Sequence, residues 1–167
     1  TNFFGLVRIT NAVLPIMRNI GKGRIINIAS LAGRVGVPGH SFYSATKFAL
    51  EGYTETLAHE LHPFRIKVSL IEPGFFKTNL AAHAPQADNP LPAYDPVRDQ
   101  LTEHFQKGVQ TGRNPADLAA LVLKILRTKK PKLRYPIGQG ALIIPFFKAV
   151  LPQRLFNRAV RLYFHLP

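Results

Sequence analysis

The stretch GRIINIASLAGRVGVPGHSFYSATK, residues 23–47, decides the fold class of this chain. It opens with a short β-branched run, Ile25, Ile26 and Ile28, which predicts a buried strand. Glycines and a proline follow and indicate a loop. A long helix is then predicted over residues 41–61, because Pro63 ends the helical pattern. The stretch therefore predicts a strand, a loop and a helix in succession.

The rest of the chain repeats this alternation of strands and helices. IKVSLI, residues 66–71, predicts a second buried strand, and KLRYPI, residues 132–137, predicts a third. Further helices are predicted over residues 3–19, 97–107 and 114–128, and Pro15 is expected to bend or split the first of them. Strands separated by helices are typical of an α/β fold in which helices cover a parallel sheet.

Composition limits the classes of function. The 167 residues suit one domain and include no cysteine, which excludes disulfides and cysteine-based metal sites, and the histidines show no convincing ligand spacing. No apolar run is long enough to cross a bilayer, and no signal peptide is visible, so we expect a cytoplasmic protein. The 22 basic and 9 acidic residues give a net charge of +13, which favours an anionic partner, but no nucleic-acid-binding motif is present.

Two segments that lie outside the alternation of strands and helices are the subject of separate predictions. Residues 81–96 contain four prolines and little periodicity, so residues 81–111 are predicted to form a substrate lid region. Residues 139–167 are predicted to be a C-terminal extension, in which residues 151–166 carry an apolar helical stripe beside three arginines. This tail is predicted either to contact an anionic membrane surface or to pack over the substrate cleft.

Polar side chains mark the carboxyl ends of the first two predicted strands. Ser30 ends the first strand and Pro73-Gly74 ends the second, so both should face the crevice in which α/β sheets bind ligands. Tyr43 and Lys47 are four residues apart and should share one face of the following helix. An ammonium near a tyrosine favours the phenolate, so this pair could exchange protons at an alcohol or carbonyl group near neutral pH. The alternative is a loop followed by an ordinary amphipathic helix.

Four motifs in a fixed order resemble those of the short-chain dehydrogenase/reductase family. They are TNFFG at residues 1–5, GRIINIAS at 23–30, YSATK at 43–47 and EPGFFKT at 72–78. The resemblance implies a Rossmann-like, doubly wound parallel sheet, and it is greatest to members that act on hydroxysteroids and retinoids. The family's glycine-rich pyrophosphate turn and its N-A-G segment are not among these residues. We therefore expect the nucleotide-binding half of a longer protein to precede Thr1.

The resemblance also implies a role for each residue that matches a family motif. Tyr43 would be the general acid/base, Lys47 would assist it and bind the nicotinamide ribose, Ser30 would hold the substrate oxygen, and Asn2 would position a water molecule linked to Lys47. The cofactor-binding residues would be Tyr43, Lys47, Pro73, Gly74, Phe76 and Thr78, with NAD or NADP as the cofactor and no metal.

The predicted function is NAD(P)-dependent interconversion of an alcohol and a carbonyl on a small apolar substrate. The alternative is a truncated, non-catalytic module for dimerisation or membrane-surface binding. We also expect a homo-oligomer formed through the first and third predicted helical segments, peripheral membrane contact through the basic tail, and no nucleic-acid partner.

Overall fold

A computed structural model describes residues 1–80 and 88–166. Nine regular elements follow one another in the described residues. They are α1 (Phe4–Ile20), β1 (Gly23–Ile28), α2 (Ser41–Leu61), β2 (Ile66–Pro73), α3 (Asp95–Thr111), α4 (Pro115–Arg127), β3 (Arg134–Ile137), α5 (Ile143–Val150) and α6 (Gln153–Tyr163).

The three strands form one parallel sheet in the order β1-β2-β3. In this register Ile28 pairs with Ile71, and Leu70 pairs with Arg134. Helix α2 connects β1 to β2, while α3 and α4 lie between β2 and β3 in the chain. The predicted α/β class with a parallel sheet is therefore confirmed. Strand β2 is central, and its residues Leu70 and Ile71 are fully buried, as expected for a buried parallel strand.

The core forms where α2 and α1 pack on the sheet. Leu57 and Leu61 of α2 lie among the isoleucines and valine of β1 and β2, and Met17 of α1 packs against the same cluster. A buried hydrogen bond of 2.9 Å from the Asn27 amide to the Thr54 hydroxyl also joins β1 to α2. A buried polar pair of this kind fixes the position of the helix along the strand, because either group would be costly without its partner.

Several boundaries differ from the prediction. Pro15 does not split α1, which runs unbroken from Phe4 to Ile20. Pro15 and Asn11 lie on the exposed side of the helix, where a carbonyl that lost its helical partner can bond to water. The helix predicted over residues 97–107 extends over Asp95–Thr111, and β3 is shorter than its motif.

The predicted lid segment and the predicted C-terminal tail differ in how much of them the structure describes. Residues 81–87 of the predicted lid loop lie outside the described residues, and Pro92–Tyr94 forms a single 3₁₀ turn. The tail contains α6 as expected, but α5 before it was not predicted. The sequence of α5, IIPFFKAV, is short and apolar, and it contains Pro145, which argues against a helix when only the sequence is considered. None of the helices in the described ranges is both long and apolar enough to span a membrane.

Candidate active site

Ser30 lies just beyond the carboxyl end of β1, at the start of a 3₁₀ turn over Leu31–Gly33. Its backbone is extended, and its hydroxyl oxygen accepts a 3.1 Å hydrogen bond from the amide of Ala32. The turn packs against α2 so closely that a Cβ on Gly33 would lie 2.8 Å from the carbonyl oxygen of Lys47. The half-buried serine is therefore held at the strand end, beside the helix that carries Tyr43 and Lys47.

Tyr43 and Lys47 occupy the first two turns of α2 and are both half-buried. The Lys47 ammonium nitrogen lies 5.6 Å from the centroid of the Tyr43 ring, so the two side chains share a helix face as predicted. It also donates a 3.0 Å hydrogen bond to the carbonyl oxygen of Ile28, the last residue of β1. Burial lowers the pKa of Lys47, because desolvation disfavours the ammonium form.

Pro73 ends β2, and Gly74 begins the turn that follows it. The Gly74 amide donates a 2.8 Å hydrogen bond to the carbonyl of Ile137, which ends β3. A Cβ at Gly74 would lie 2.5 Å from the carbonyl oxygen of Gln139, so no side chain fits there. Because Ala29 is bonded to Ile71 through its amide at 2.8 Å, the ends of β1 and β2 lie side by side. The predicted meeting of Ser30 and Pro73-Gly74 at one sheet edge is what the strand pairing produces.

The segment after Gly74 pairs with the short link between α3 and α4. Phe76 and Arg113 form an isolated parallel bridge, and the Lys77 amide donates to the Arg113 carbonyl at 2.9 Å. The Thr78 side chain is exposed, and its hydroxyl accepts a hydrogen bond from the amide of Leu80 at 3.3 Å. Thr78, the last residue of the EPGFFKT motif, is thus open to solvent.

Asn2 is exposed near the start of α1, yet it reaches the helix of the tyrosine and lysine. Its amide nitrogen lies 3.5 Å from the hydroxyl oxygen of Thr46, the residue before Lys47. Thr46 in turn donates a 2.7 Å hydrogen bond to the carbonyl of Tyr43. Asn2 does not cap α1, which begins without a side-chain cap.

Aromatic rings form a chain of contacts that begins at Tyr43. The ring of His40 lies 6.5 Å from that of Tyr43 and 5.0 Å from that of Phe105 on α3, measured between centroids. Phe105 also contacts Phe75, with 5.9 Å between ring centroids. The loop after β1, the loop after β2 and α3 are therefore joined by one chain of ring contacts next to the tyrosine.

An ion-pair network behind the site was missed by the sequence analysis. Arg134 of β3 binds Glu51, Glu55 and Glu72 at 3.2, 2.7 and 3.3 Å, respectively. Arg34, in the turn after Ser30, binds Glu72 at 2.9 Å. The sequence signals were a glutamate one turn after Lys47 and another directly before Pro73, but their common partner, Arg134, is distant from both in the chain.

Glu51 and Glu72 are both buried, and they share the arginine between them. Burial raises the pKa of Glu51 to about 7, and the negative charge of Glu72 acts in the same direction. Arg134 opposes both effects by binding the carboxylate. One oxygen of Glu51, Oε1, is buried and has no hydrogen-bond partner among the described residues.

These features define an α/β protein that places a serine, a tyrosine and a lysine near the carboxyl ends of adjacent parallel strands, which is where α/β sheets bind ligands. The family model described as short chain dehydrogenase matches residues 1–89. The chain belongs to this family.

Known relatives agree with this assignment. The chain is 39% identical to a 3-ketodihydrosphingosine reductase of Bacteroides thetaiotaomicron over 167 residues, covering 98% of the chain and 62% of that protein. It matches the crystal structure of a short-chain dehydrogenase from Streptomyces avermitilis at 36% identity and a TM-score of 0.70, covering 98% of the chain and 57% of that one. It also matches a serine dehydrogenase complexed with NADP+ at 28% identity and a TM-score of 0.64, covering 83% of the chain and 52% of that one. The chain thus spans about three-fifths of the length of the first relative.

Proposed function

We propose that this chain carries the catalytic part of an NAD(P)-dependent oxidoreductase that interconverts an alcohol and a carbonyl. The observation that carries the proposal is the position of Lys47. Its ammonium lies 5.6 Å from the Tyr43 ring and is bonded to the end of β1, beside the turn that begins at Ser30. This arrangement supports proton transfer at a substrate oxygen.

Each residue at the candidate site has one role in that reaction. The Tyr43 hydroxyl gives or takes the proton of the substrate oxygen, and the Ser30 hydroxyl donates a hydrogen bond that orients this oxygen. The Lys47 ammonium, 5.6 Å from the centroid of the Tyr43 ring, places a positive charge beside the group that exchanges the proton. Asn2, next to Thr46, positions a water molecule through which Lys47 exchanges protons with solvent.

The donor groups at the strand ends suit a nicotinamide dinucleotide, either NAD or NADP. An ammonium has three N–H donors. In the described part of the chain Ile28 takes one of them, which leaves donors for the ribose hydroxyls. Tyr43 lies beside them, Pro73, Gly74 and Phe76 would frame the nicotinamide with backbone groups, and Thr78 would bind its amide or the pyrophosphate. The cofactor, when bound, supplies or accepts the hydride.

We further propose an apolar substrate of lipid, steroid or retinoid type. The ring contacts of His40, Phe75 and Phe105 give the approach to Tyr43 an apolar wall. A relative with 39% identity is named as a reductase of 3-ketodihydrosphingosine, which is consistent with this class. Within the predicted lid region, helix α3 would close over such a substrate, since it already packs on both loops through Phe105.

Self-association through α1 and α3 is part of the same proposal. Four large apolar side chains of α1 are exposed and give it support: Phe4, Ile9, Ile16 and Ile20. Helix α3 receives less support, because none of the exposed large apolar side chains in the described residues belongs to it.

Cofactor titration of the full-length protein with NADH and NADPH tests the function, followed by turnover assays on long-chain ketones, steroids and retinoids. We expect binding of at least one dinucleotide and turnover of at least one apolar carbonyl. If neither dinucleotide binds, the non-catalytic alternative is favoured. Binding with turnover only of small polar alcohols would reject the apolar substrate and leave the reaction class intact.

A further inference from the structure

Helix α5 presents an apolar face to solvent. Leu142, Ile143, Phe146, Phe147 and Val150 are all exposed, and Leu142 and Phe146 expose 71% and 61% of their surface. On a helix these positions fall within one broad stripe, while Pro145 and Lys148 point to the protein side, where Lys148 binds the Arg34 carbonyl at 2.7 Å. Five exposed apolar side chains in nine residues are far more than a surface helix of a soluble protein normally exposes to water.

Helix α6 continues this pattern and adds positive charge. Phe156 is buried, whereas Leu155 and Leu162 are exposed. Arg154, Arg158 and Arg161 lie along one side of the exposed stripe. These arginines take no part in the ion pairs found among the described residues.

No acidic residue balances this charge nearby in the sequence. After Asp117 the chain contains ten lysines and arginines and no aspartate or glutamate. A second copy of the same surface would therefore bring arginines against arginines, which opposes self-association. A nucleic acid would satisfy the charge but would leave the apolar side chains of α5 in water. An anionic lipid surface suits both features, because its acyl chains contact the apolar side chains and its headgroups bind the arginines.

We propose that α5 and α6, over residues 142–163, form a docking surface for an anionic phospholipid bilayer. The surface lies in the bilayer interface and does not span it. This inference stands on exposed apolar area and charge, and it holds whether or not the proposed reaction is correct.

The docking surface is also connected to the candidate active site. Tyr163 and Phe164, at the end of α6, contact the His104 ring on α3 with centroid distances of 4.8 and 4.7 Å. The neighbouring Phe105 contacts His40, next to Tyr43. Taken with the proposed apolar substrate, docking would place the lid helix α3 at the membrane, where such a substrate dissolves.

Vesicle flotation of the full-length protein tests the proposal. The probes are vesicles of phosphatidylcholine alone and of phosphatidylcholine with 30% phosphatidylserine, chosen to separate charge from apolar contact, in low and in high salt. We expect flotation with the anionic vesicles that weakens with salt and is much lower with the neutral ones. Flotation needs no turnover, so its failure is distinct from a failure of the proposed reaction.

Two sets of variants locate the surface. Arg154→Gln, Arg158→Gln and Arg161→Gln together should lower partitioning into anionic vesicles about a hundredfold or more, which is the loss expected for about 1 kcal/mol per arginine. The matched control is Lys124→Gln, Lys129→Gln and Lys130→Gln, which removes the same charge from exposed sites elsewhere and should leave partitioning within about threefold. Leu142→Ser with Phe146→Ser should reduce it at least about tenfold, whereas Leu123→Ser with Leu126→Ser on α4 should not. Circular dichroism verifies that each variant is folded.

Three results would overturn the proposal. The first is wild-type protein that does not float with anionic vesicles. The second is equal loss in the arginine and lysine variants, since binding would then depend on net charge alone. The third is a change of oligomeric state by Leu142→Ser with Phe146→Ser, in the absence of lipid, together with unchanged flotation. This last result would make the face of α5 a protein interface.

Discussion

The ammonium of Lys47 donates a 3.0 Å hydrogen bond to the carbonyl of Ile28, and this contact joins the helix of the tyrosine to the end of the first strand. A strand-end carbonyl has no partner beyond the sheet, and a half-buried ammonium has lost part of its water shell, so each group satisfies the other. The bond holds the lysine side chain at the end of β1, with its ammonium 5.6 Å from the centroid of the Tyr43 ring. The following predictions test what this arrangement does.

Tyr43→Phe should lower kcat at least about a hundredfold while leaving dinucleotide affinity largely intact. Phenylalanine retains the ring contacts but has no proton to exchange, so the loss belongs to the chemical step. The control is Tyr53→Phe on the same helix, because the Tyr53 hydroxyl is buried and has no partner among the described residues. Steady-state kinetics and cofactor titration measure both effects. A Tyr43→Phe enzyme with a tenth or more of the wild-type kcat would exclude Tyr43 as the acid/base.

Lys47→Met should lower both turnover and dinucleotide affinity, because it removes the charge beside Tyr43 and a donor to the ribose. The strand end would also lose its partner at Ile28. Lys77→Met, at an exposed position after β2, serves as the control and should affect both quantities less. If Lys47→Met reduces turnover alone, the lysine assists the tyrosine without binding the cofactor.

Gly33→Ala should destabilise the protein by about 1–3 kcal/mol and impair catalysis, because its Cβ would meet the Lys47 carbonyl at 2.8 Å. The turn would have to shift away from α2 and take Ser30 with it. Gly52→Ala provides the contrast, since nothing lies within 4 Å of its added Cβ and it is inside α2. That change should stabilise the protein by up to about 1 kcal/mol. Urea unfolding and kcat/KM measure both, and a neutral Gly33→Ala would mean that the turn adjusts freely.

Glu51→Gln should flatten the dependence of stability on pH between about 4.5 and 7. Burial and Glu72 raise the pKa of Glu51 from 4.5 to about 7, so the folded state favours the neutral carboxyl. The stabilisation by this group is therefore complete below pH 4.5 and is lost as the pH rises through 7. Arg134 and Arg34 face the same group and limit the effect. Urea midpoints measured across this pH range would show the change.

Glu55→Gln is the control for that experiment. Its hydrogen bond to Arg134 lowers the pKa of Glu55, which is the opposite direction. The stabilisation by Glu55 is present above its ordinary pKa and is lost on acidification, so Glu55→Gln should not flatten the profile from pH 4.5 to 7. Equal profiles for wild type and Glu51→Gln would show that Glu51 is ionised throughout that range.

Local sequence pattern was sufficient for most of the fold and for the centre of the candidate site. Apolar β-branched runs predicted β1 and β2 because buried parallel strands need them, and Asn114, whose side chain accepts from the Ala116 amide at 2.9 Å, marked the start of α4. The spacing from Tyr43 to Lys47 placed both on one helix face, because an α-helix repeats every 3.6 residues.

Only the tertiary structure decided the remaining features, since they join residues that are distant in the chain. Arg134 meets Glu51 across 83 positions, and His104 meets the rings at the end of α6, which no local pattern predicts. The exposure of α5 depended on what packs against it, because the sequence pattern of an apolar helix is the same whether the helix is buried or exposed to solvent. By itself, the sequence determined most of the elements and the chemical groups at the strand ends, through backbone geometry and hydrophobic periodicity. The packing of the chain decided which carboxyl is buried beside another and which apolar face stays exposed, because both depend on distances that form only on folding.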